Sequence, residues 1–243
     1  MSVAYFSNHQ NTTNILCFLF VDGCCELLYP AEMMKTNGNF TIDNEAISAE
    51  RILEAARVQV RRFGESKTNI VDIARSLGTS HSTIYRHFRS KADVFDALVE
   101  ELMRDEETLA GTYVQAKDPA ALRLEAMVLA LHRRKVERFA NDLEVYQLYR
   151  RVVDERPDIV QNYAVAITQL IAAILASGVD AGEFKIDDID RAAGVVRDAV
   201  TVFVHPAHVA ASVQAGISRE QDLRHVISTL IAAFSVGISL RDA

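Results

Sequence analysis

From Ile47 onward apolar residues return every three or four positions, and no stretch sustains the two-residue alternation of a strand. A chain patterned this way buries its apolar side chains as helices, each presenting a stripe to a shared core. The expected fold class is therefore all-α. The first helix carries Ile52, Leu53, Ala56, Val60 and Phe63 on one side and ends at Gly64. A short second helix is capped by the Asn69 side chain, holds Ile70, Ile73 and Leu77, and stops at Gly78. A third begins behind Ser80 and runs to about His87; a fourth starts at Ser90, with Asp93 three residues later in capping-box spacing. Beyond Gly111, the breakers Pro119, Pro157, Gly178, Gly182, Pro206 and Gly216 divide the chain into longer helices. Asp118 and Pro119 read as a cap followed by proline at the first helical position.

Two of these helices carry more apolar surface than one stripe can use. In Ile189 to Phe203, Val196 and Phe203 share a face while Val195 and Val202 lie off it; in Leu223 to Ile238, Ile227, Leu230 and Phe234 recur beside Val226 and Ile231. Such helices need cover from a second subunit, so Val196, Phe203, Ile227, Leu230 and Phe234 are the expected homodimer interface.

Charge is more informative by position than in total. The 243-residue chain carries −7, but Arg57 to Lys91 holds eight basic residues against Glu65 and Asp72, a local +6 that leaves −13 on the remainder. A small basic module on an acidic body is the footprint of a part that meets phosphate attached to a part that does something else. Residues 1–45 stand apart, with no helical period, an isolated apolar run Ile15 to Val21, and turn formers at Asp22–Gly23 and Asn37–Gly38. They are given no fold here; a tail or upstream extension ahead of Met33 and Met34 and an ordered arm both remain open. The apolar run is seven residues long, short of the roughly 18 to 20 that span a bilayer, and no Lys or Arg precedes it as a secretory signal would need. All three cysteines (Cys17, Cys24, Cys25) fall in this segment. The expectation is a cytoplasmic protein with no membrane partner.

The stretch Asn69 to Phe88, NIVDIARSLGTSHSTIYRHF, has the form of a helix-turn-helix: a short helix, a glycine turn, and a second helix capped by Ser80. Ile73, Leu77, Ile84 and Phe88 supply a shared core and leave His81, Ser82, Thr83, Tyr85 and Arg86 facing outward. With RILEAA before it and IYRHFRSK at its end, the segment Ile47 to Met103 resembles the TetR family of transcriptional regulators. Asn69 stands where that family often has Thr, and Ser82 where many members have Gly. The resemblance implies phosphate contacts at Thr68, Asn69, Tyr85, His87 and Lys91, and base reading by His81, Ser82, Thr83 and Arg86. It also implies a domain order: residues 1–45 as tail, 46–92 as a three-helix DNA-binding domain, and 93–243 as a helical effector-binding and dimerisation domain. On this analogy Met127, Leu131, Tyr146, Tyr149, Tyr163, Ile167 and Leu170, with Gln169, line an effector pocket.

The expected partners are thus a double-stranded DNA operator, a second copy of the chain and a small-molecule effector, with no cofactor. The function implied is a repressor released from a palindromic operator by that effector; the alternative is a dimeric DNA-binding protein that senses nothing. Enzyme signatures are absent from the sequence: there is no Gly-x-Ser-x-Gly, no phosphate loop, no Gly-x-Gly-x-x-Gly and no His-Glu-x-x-His. His205 and His208 lack a third metal ligand at helical spacing, so no metal is expected, and the run Glu100, Glu101, Asp105, Glu106, Glu107 reads as a solvated face. A chain starting at Met34 should fold and bind DNA like the full-length protein; loss of DNA binding on truncation, measured side by side, would make the N-terminal segment a working arm.

Overall fold

The computed structural model describes residues 18–21, 24–27, 47–237 and 239–240. Two units are distinguished, residues 1–46 and 47–243. In the first, β1 (Phe18–Val21) pairs antiparallel with β2 (Cys24–Leu27), Val21 opposite Cys24 and Phe18 opposite Leu27. No fold was expected there. The correction has a local cause: the Phe- and Val-containing half of the apolar run is separated by only two residues from a second short run, the spacing of a tight hairpin. Asp22–Gly23, Met33, Met34 and Asn37–Gly38 lie outside the described residues.

The second unit is helical, as its periodicity requires. Its order is α1 (Ala49–Phe63), α2 (Ile70–Ser76), α3 (His81–His87), α4 (Lys91–Val114), α5 (Ala120–Asn141), α6 (Leu143–Glu155), α7 (Pro157–Asp180), α8 (Ile189–Val204), α9 (Pro206–Gln214) and α10 (Glu220–Val236). Caps set most of the starts. The hydroxyls of Ser48, Ser80 and Ser90 accept from backbone N–H groups three residues on, and Asp188 does the same for α8. Asp93 reaches back to the Arg89 N–H, one residue ahead of the Ser90 cap, in a variant of the capping box at the start of α4.

Two expected punctuation marks behave differently. Asp118 does not cap α5. The Glu183 carboxylate does, accepting from the N–H groups of Ala120 (3.0 Å) and Ala121 (3.3 Å), so the loop after α7 supplies both a cap and a negative charge to the positive end of another helix. Nor does Gly178 break α7, which runs on to Asp180. Its hydrogen lets α7 approach α5 and Phe184: a Cβ at 178 would fall within the Phe184 ring and 2.8 Å from the Ala120 methyl.

Two large cores result. One lies among α1 to α4 and the inner side of α6, with Ile52, Ile73, Ile84, Phe95, Leu98, Leu148 and Val152 buried. The other lies among α4, α5, α7, α8 and α10, around Leu124, Met127, Ile171, Ile174, Val196 and Phe234. The boundary expected between residues 92 and 93 falls in the first turn of α4, a 24-residue helix that serves both cores. Four of the expected interface residues are spent inside the protomer. Val196 and Ile227 are wholly buried, Phe203 and Phe234 nearly so, and Leu230 is half-buried against the same core. The physical reason is that α8 and α10 each pack into the bundle with their strongest stripe, leaving the weaker, off-stripe residues outside.

Replacing Gly178 by Val should force α7 away from α5 and Phe184, at about 1 to 3 kcal/mol or more; a thermal melt reads the loss, and an unchanged midpoint would show that the contact is not tight.

Candidate DNA-reading surface and ligand cavity

At the reading end, α2 and α3 are joined through Gly78, whose φ of +64° is one a side chain rarely adopts. The Thr79 hydroxyl donates to Thr83 Oγ1 (3.0 Å), which also lies 3.2 Å from Ser80 Oγ, knitting turn and helix together. Thr83 is therefore half-buried and turned back on the turn. His81, Ser82, Tyr85, Arg86 and His87 are exposed, with His81 and Tyr85 edge-on at 6.2 Å. Asn69 occupies the cap position of α2 but accepts no backbone N–H; its amide points at Asp72 instead. Thr68 is buried and its hydroxyl donates to the Gly64 carbonyl (2.8 Å), bracing the loop after α1, so its hydroxyl is not offered to a phosphate. Lys91 begins α4, donates to the Glu65 carbonyl (3.2 Å) and rests over the Phe95 ring. Five of the nine expected contacts are thus exposed on α3, Asn69 is exposed ahead of α2, Lys91 and Thr83 are half-buried, and Thr68 is structural.

This module is fastened to α6. Arg61 on α1 donates through Nε and Nη2 to Asp142 (3.1 and 2.5 Å), and Arg151 on α6 donates to Glu65 (2.9 Å). Beneath these pairs, Val145, Leu148 and Val152 of α6 pack into the core of α1 to α4.

The adjoining stripe of α6, Tyr149 and Val153, belongs to the same core and also faces a cavity of about 210 Å³. Expected residues Met127, Leu131, Tyr149, Tyr163 and Ile167 line it, joined by Met103 of α4, Val153 of α6 and Val200 of α8. Tyr146 does not: its hydroxyl donates to the Pro206 carbonyl (2.6 Å) and its ring packs on Phe139, fastening α6 to α9. Leu170 packs against the neighbouring core, and Gln169 is exposed on the far side of α7.

The polar end of this cavity was not foreseen. Glu106 of α4, placed by the sequence on a solvated acidic face, is completely buried. Its Oε2 accepts from Lys135 Nζ (2.6 Å) and the Tyr163 hydroxyl (2.8 Å), and its Oε1 from Arg138 Nη1 (2.5 Å). Lys135 also donates to the Tyr149 hydroxyl (2.8 Å). Burial pushes the Glu106 carboxyl up, but the charges of Lys135 and Arg138 outweigh it and hold the group below its ordinary range. Burial likewise works against the Lys135 ammonium, and Glu106 overrides it, so Lys135 stays charged. The signal was present in the sequence. Lys135 and Arg138 continue the stripe Leu124, Met127 or Val128, Leu131, and Glu106 continues Leu98, Leu102, so each charge occupies a core position. His205 is accounted for without metal, its Nδ1 accepting from the Ala207 N–H at the start of α9. Among the described residues no group of three metal-binding side chains assembles.

Residues 52–98 match the family model of bacterial regulatory proteins of the tetR family, and residues 120–227 match that of the tetracyclin repressor-like C-terminal domain. The chain belongs to the TetR family. Among its relatives is the HTH-type transcriptional repressor KstR2 of Mycolicibacterium smegmatis, 28% identical over 170 residues that cover 68% of this chain and 81% of that one. Similar TetR-like folds include SmeT, the repressor of the Stenotrophomonas maltophilia multidrug efflux pump SmeDEF (TM-score 0.57, 17% identity, 78% of this chain and 91% of that one). FadR from Bacillus subtilis, solved in complex with stearoyl-CoA, is another (TM-score 0.50, 18% identity, 79% and 100%). The chain is a TetR-family transcriptional regulator.

Replacing Glu106 by Gln would leave two buried cations without a counter-charge, at about 3 to 5 kcal/mol. Because the folded-state pKa is depressed, the stabilisation from Glu106 is present above the ordinary carboxylate value and lost as pH falls through the lowered one. Chemical denaturation at neutral pH and at pH 3 should therefore show a smaller acid loss in Glu106→Gln than in the parent.

Proposed function

We propose that this regulator is a homodimeric repressor that reads a palindromic operator and is released from it by a small molecule held in the cavity among α4 to α8. The observation that carries the reading is that Tyr149 and Val153 of α6 pack in the core of the DNA-reading module and also line the cavity. Whatever shifts α6 by filling the cavity also acts on the module fastened to it. The name of KstR2 as a repressor and the stearoyl-CoA complex of FadR support a ligand-responsive repressor. At about 210 Å³ the cavity is far too small for stearoyl-CoA, which favours a more compact ligand here.

On α3, His81, Ser82 and Arg86 are the candidates for reading bases, while Tyr85, His87, Asn69 and Lys91 are placed to meet phosphate. Lys91 can keep its bond to the Glu65 carbonyl and offer its remaining N–H donors to a phosphate. The dimer face falls on the exposed side of α8, where Val195 and Val202, seven residues apart, are 37% and 41% exposed, with Leu230 of α10 as an additional candidate. Operation in the cytoplasm, without membrane, cofactor or catalysis, belongs to the same reading.

Selection from a random duplex library should return an inverted repeat, because a two-fold dimer presents its α3 helices symmetrically. No enrichment, or enrichment of an asymmetric single site, would refute the reading. Arg86→Ala should alter base preference by about 1 to 3 kcal/mol at one position per half-site, whereas Tyr85→Phe should weaken all sequences alike. Val202→Asp should yield a folded monomer with operator affinity reduced at least about ten-fold, since the second head loses its effective concentration; Phe234→Asp should unfold instead. Sedimentation and circular dichroism of the two variants separate these outcomes.

A further inference from the structure

The cavity has mostly apolar walls with two cations on its lining, the buried Lys135 and the partly exposed Arg197, the latter already paired with Asp198. Met127, Leu131, Ile167 and Val200 line its sides, and Lys135 contributes to its lining from within the bundle. An ammonium has three N–H donors. Glu106 and the Tyr149 hydroxyl take two of those of Lys135, the Tyr149 and Tyr163 rings flank the ammonium at 4.8 and 5.3 Å, and among the described residues no oxygen or nitrogen acceptor takes the third donor, although the side chain is only 2% exposed. The local charge is also unbalanced, because the single carboxylate of Glu106 is shared by Lys135 and Arg138. A buried site with a spare donor and a surplus positive charge opening onto an apolar cavity is complementary to one negative charge on a hydrocarbon body.

We infer that this cavity takes a compact apolar monocarboxylate, whose carboxylate accepts from Lys135 Nζ while its hydrocarbon part lies along α5 and α7. This deepens the proposed function and rests on it only for what binding does to DNA. Size bounds the ligand: a dry cavity of about 150 Å³ holds benzene, so about 210 Å³ takes roughly eight non-hydrogen atoms. The ligand carboxylate and Glu106 then compete for one ammonium. Since Glu106 sits on α4, the helix that enters the DNA-reading module, occupancy would loosen the tie between α4 and α5 that Lys135 makes.

Hexanoate and hexanamide have nearly the same outline and differ in charge, so titrating each into the full-length protein without DNA, by calorimetry, tests the inference directly. Hexanoate should bind at least about ten-fold more tightly than hexanamide, a difference of the size that a charge-assisted hydrogen bond provides. Lys135→Met should abolish that preference, and Glu106→Gln, which removes the competing carboxylate, should tighten hexanoate. Should either variant fail to fold, Ala164→Phe, which fills the cavity from α7 and leaves the ion cluster intact, should eliminate hexanoate binding. Equal affinity for the two probes, no binding of hexanoate by the parent, or undiminished hexanoate binding in Ala164→Phe would overturn the inference. Operator selection and this titration share no reagent, so either reading can fail without the other.

Discussion

A single buried carboxylate holds the centre of this regulator. Glu106 on α4 is met by Lys135 and Arg138 of α5 and by the Tyr163 hydroxyl of α7, while Tyr149 of α6 joins through Lys135. Four helices therefore converge on one charge. Taking three ions out of water is expensive, and their attraction repays it only if donors and acceptors are matched in place. That requirement works as a constraint on register: sliding α4 against α5 by one turn would leave Glu106 facing apolar walls and two cations stranded. Apolar packing alone, which tolerates exchange of one aliphatic side chain for another, does not impose so sharp a penalty on a wrong alignment.

Fixing α4 in this way fixes what α4 carries. The same helix delivers Phe95, Leu98 and Leu102 to the core under α1 to α3 and Met103 to the ligand cavity. The expected boundary at residue 92 treats the reading module as separable, yet neither part can be cut from α4 without exposing a core. The module has a second attachment in α6, where apolar packing is overlaid by the ion pairs Arg61–Asp142 and Arg151–Glu65.

What the sequence disclosed and what it concealed divide along one physical line. Short-range rules were legible: the caps at Ser80 and Ser90, the turn at Gly78 and the α1 stripe Ile52, Leu53, Ala56 and Val60 follow from residues within four positions of one another, although Phe63, expected on that stripe, is exposed in the last turn under Arg62. Long-range partnerships were not. The cap of α5 by Glu183 joins residues more than sixty apart, and no local pattern distinguishes that carboxylate from a solvated one. Glu106 was misread for a related reason. Its neighbours Asp105 and Glu107 made it part of a charged run, although its spacing from Leu98 and Leu102 put it on the buried stripe. The expected interface residues differ in the opposite sense: strong apolarity on α8 and α10 marks the core of the chain itself, where Val196, Phe203, Ile227 and Phe234 are buried. In the cavity, Tyr146 and Tyr149 were indistinguishable by type, and a rotation of three residues along α6 sends one to the Pro206 carbonyl and the other to Lys135.

The energy scales of the two attachments bear on how a ligand could act. An effector can shift DNA affinity only by its differential affinity for two arrangements, typically about 1 to 3 kcal/mol, and DNA must alter effector affinity by the same factor. Breaking the buried cluster outright costs more than that range. The partly exposed pairs at Asp142 and Glu65 are each worth about 1 kcal/mol or less. The soft joint is therefore the pair of ion links laid over the apolar packing of α6 against the reading module, and the stiff one lies between α4 and α5. A ligand that displaced Glu106 without supplying a replacement anion would have to meet the cost of the stiff joint, which exceeds the usual range of coupling. One that brings its own carboxylate to Lys135 keeps the ammonium paired, and Glu106 retains Arg138 and Tyr163. With the third N–H of Lys135 free to take that carboxylate, the stiff joint is weakened rather than broken, and the remaining free energy lies within reach of what the soft joint can yield.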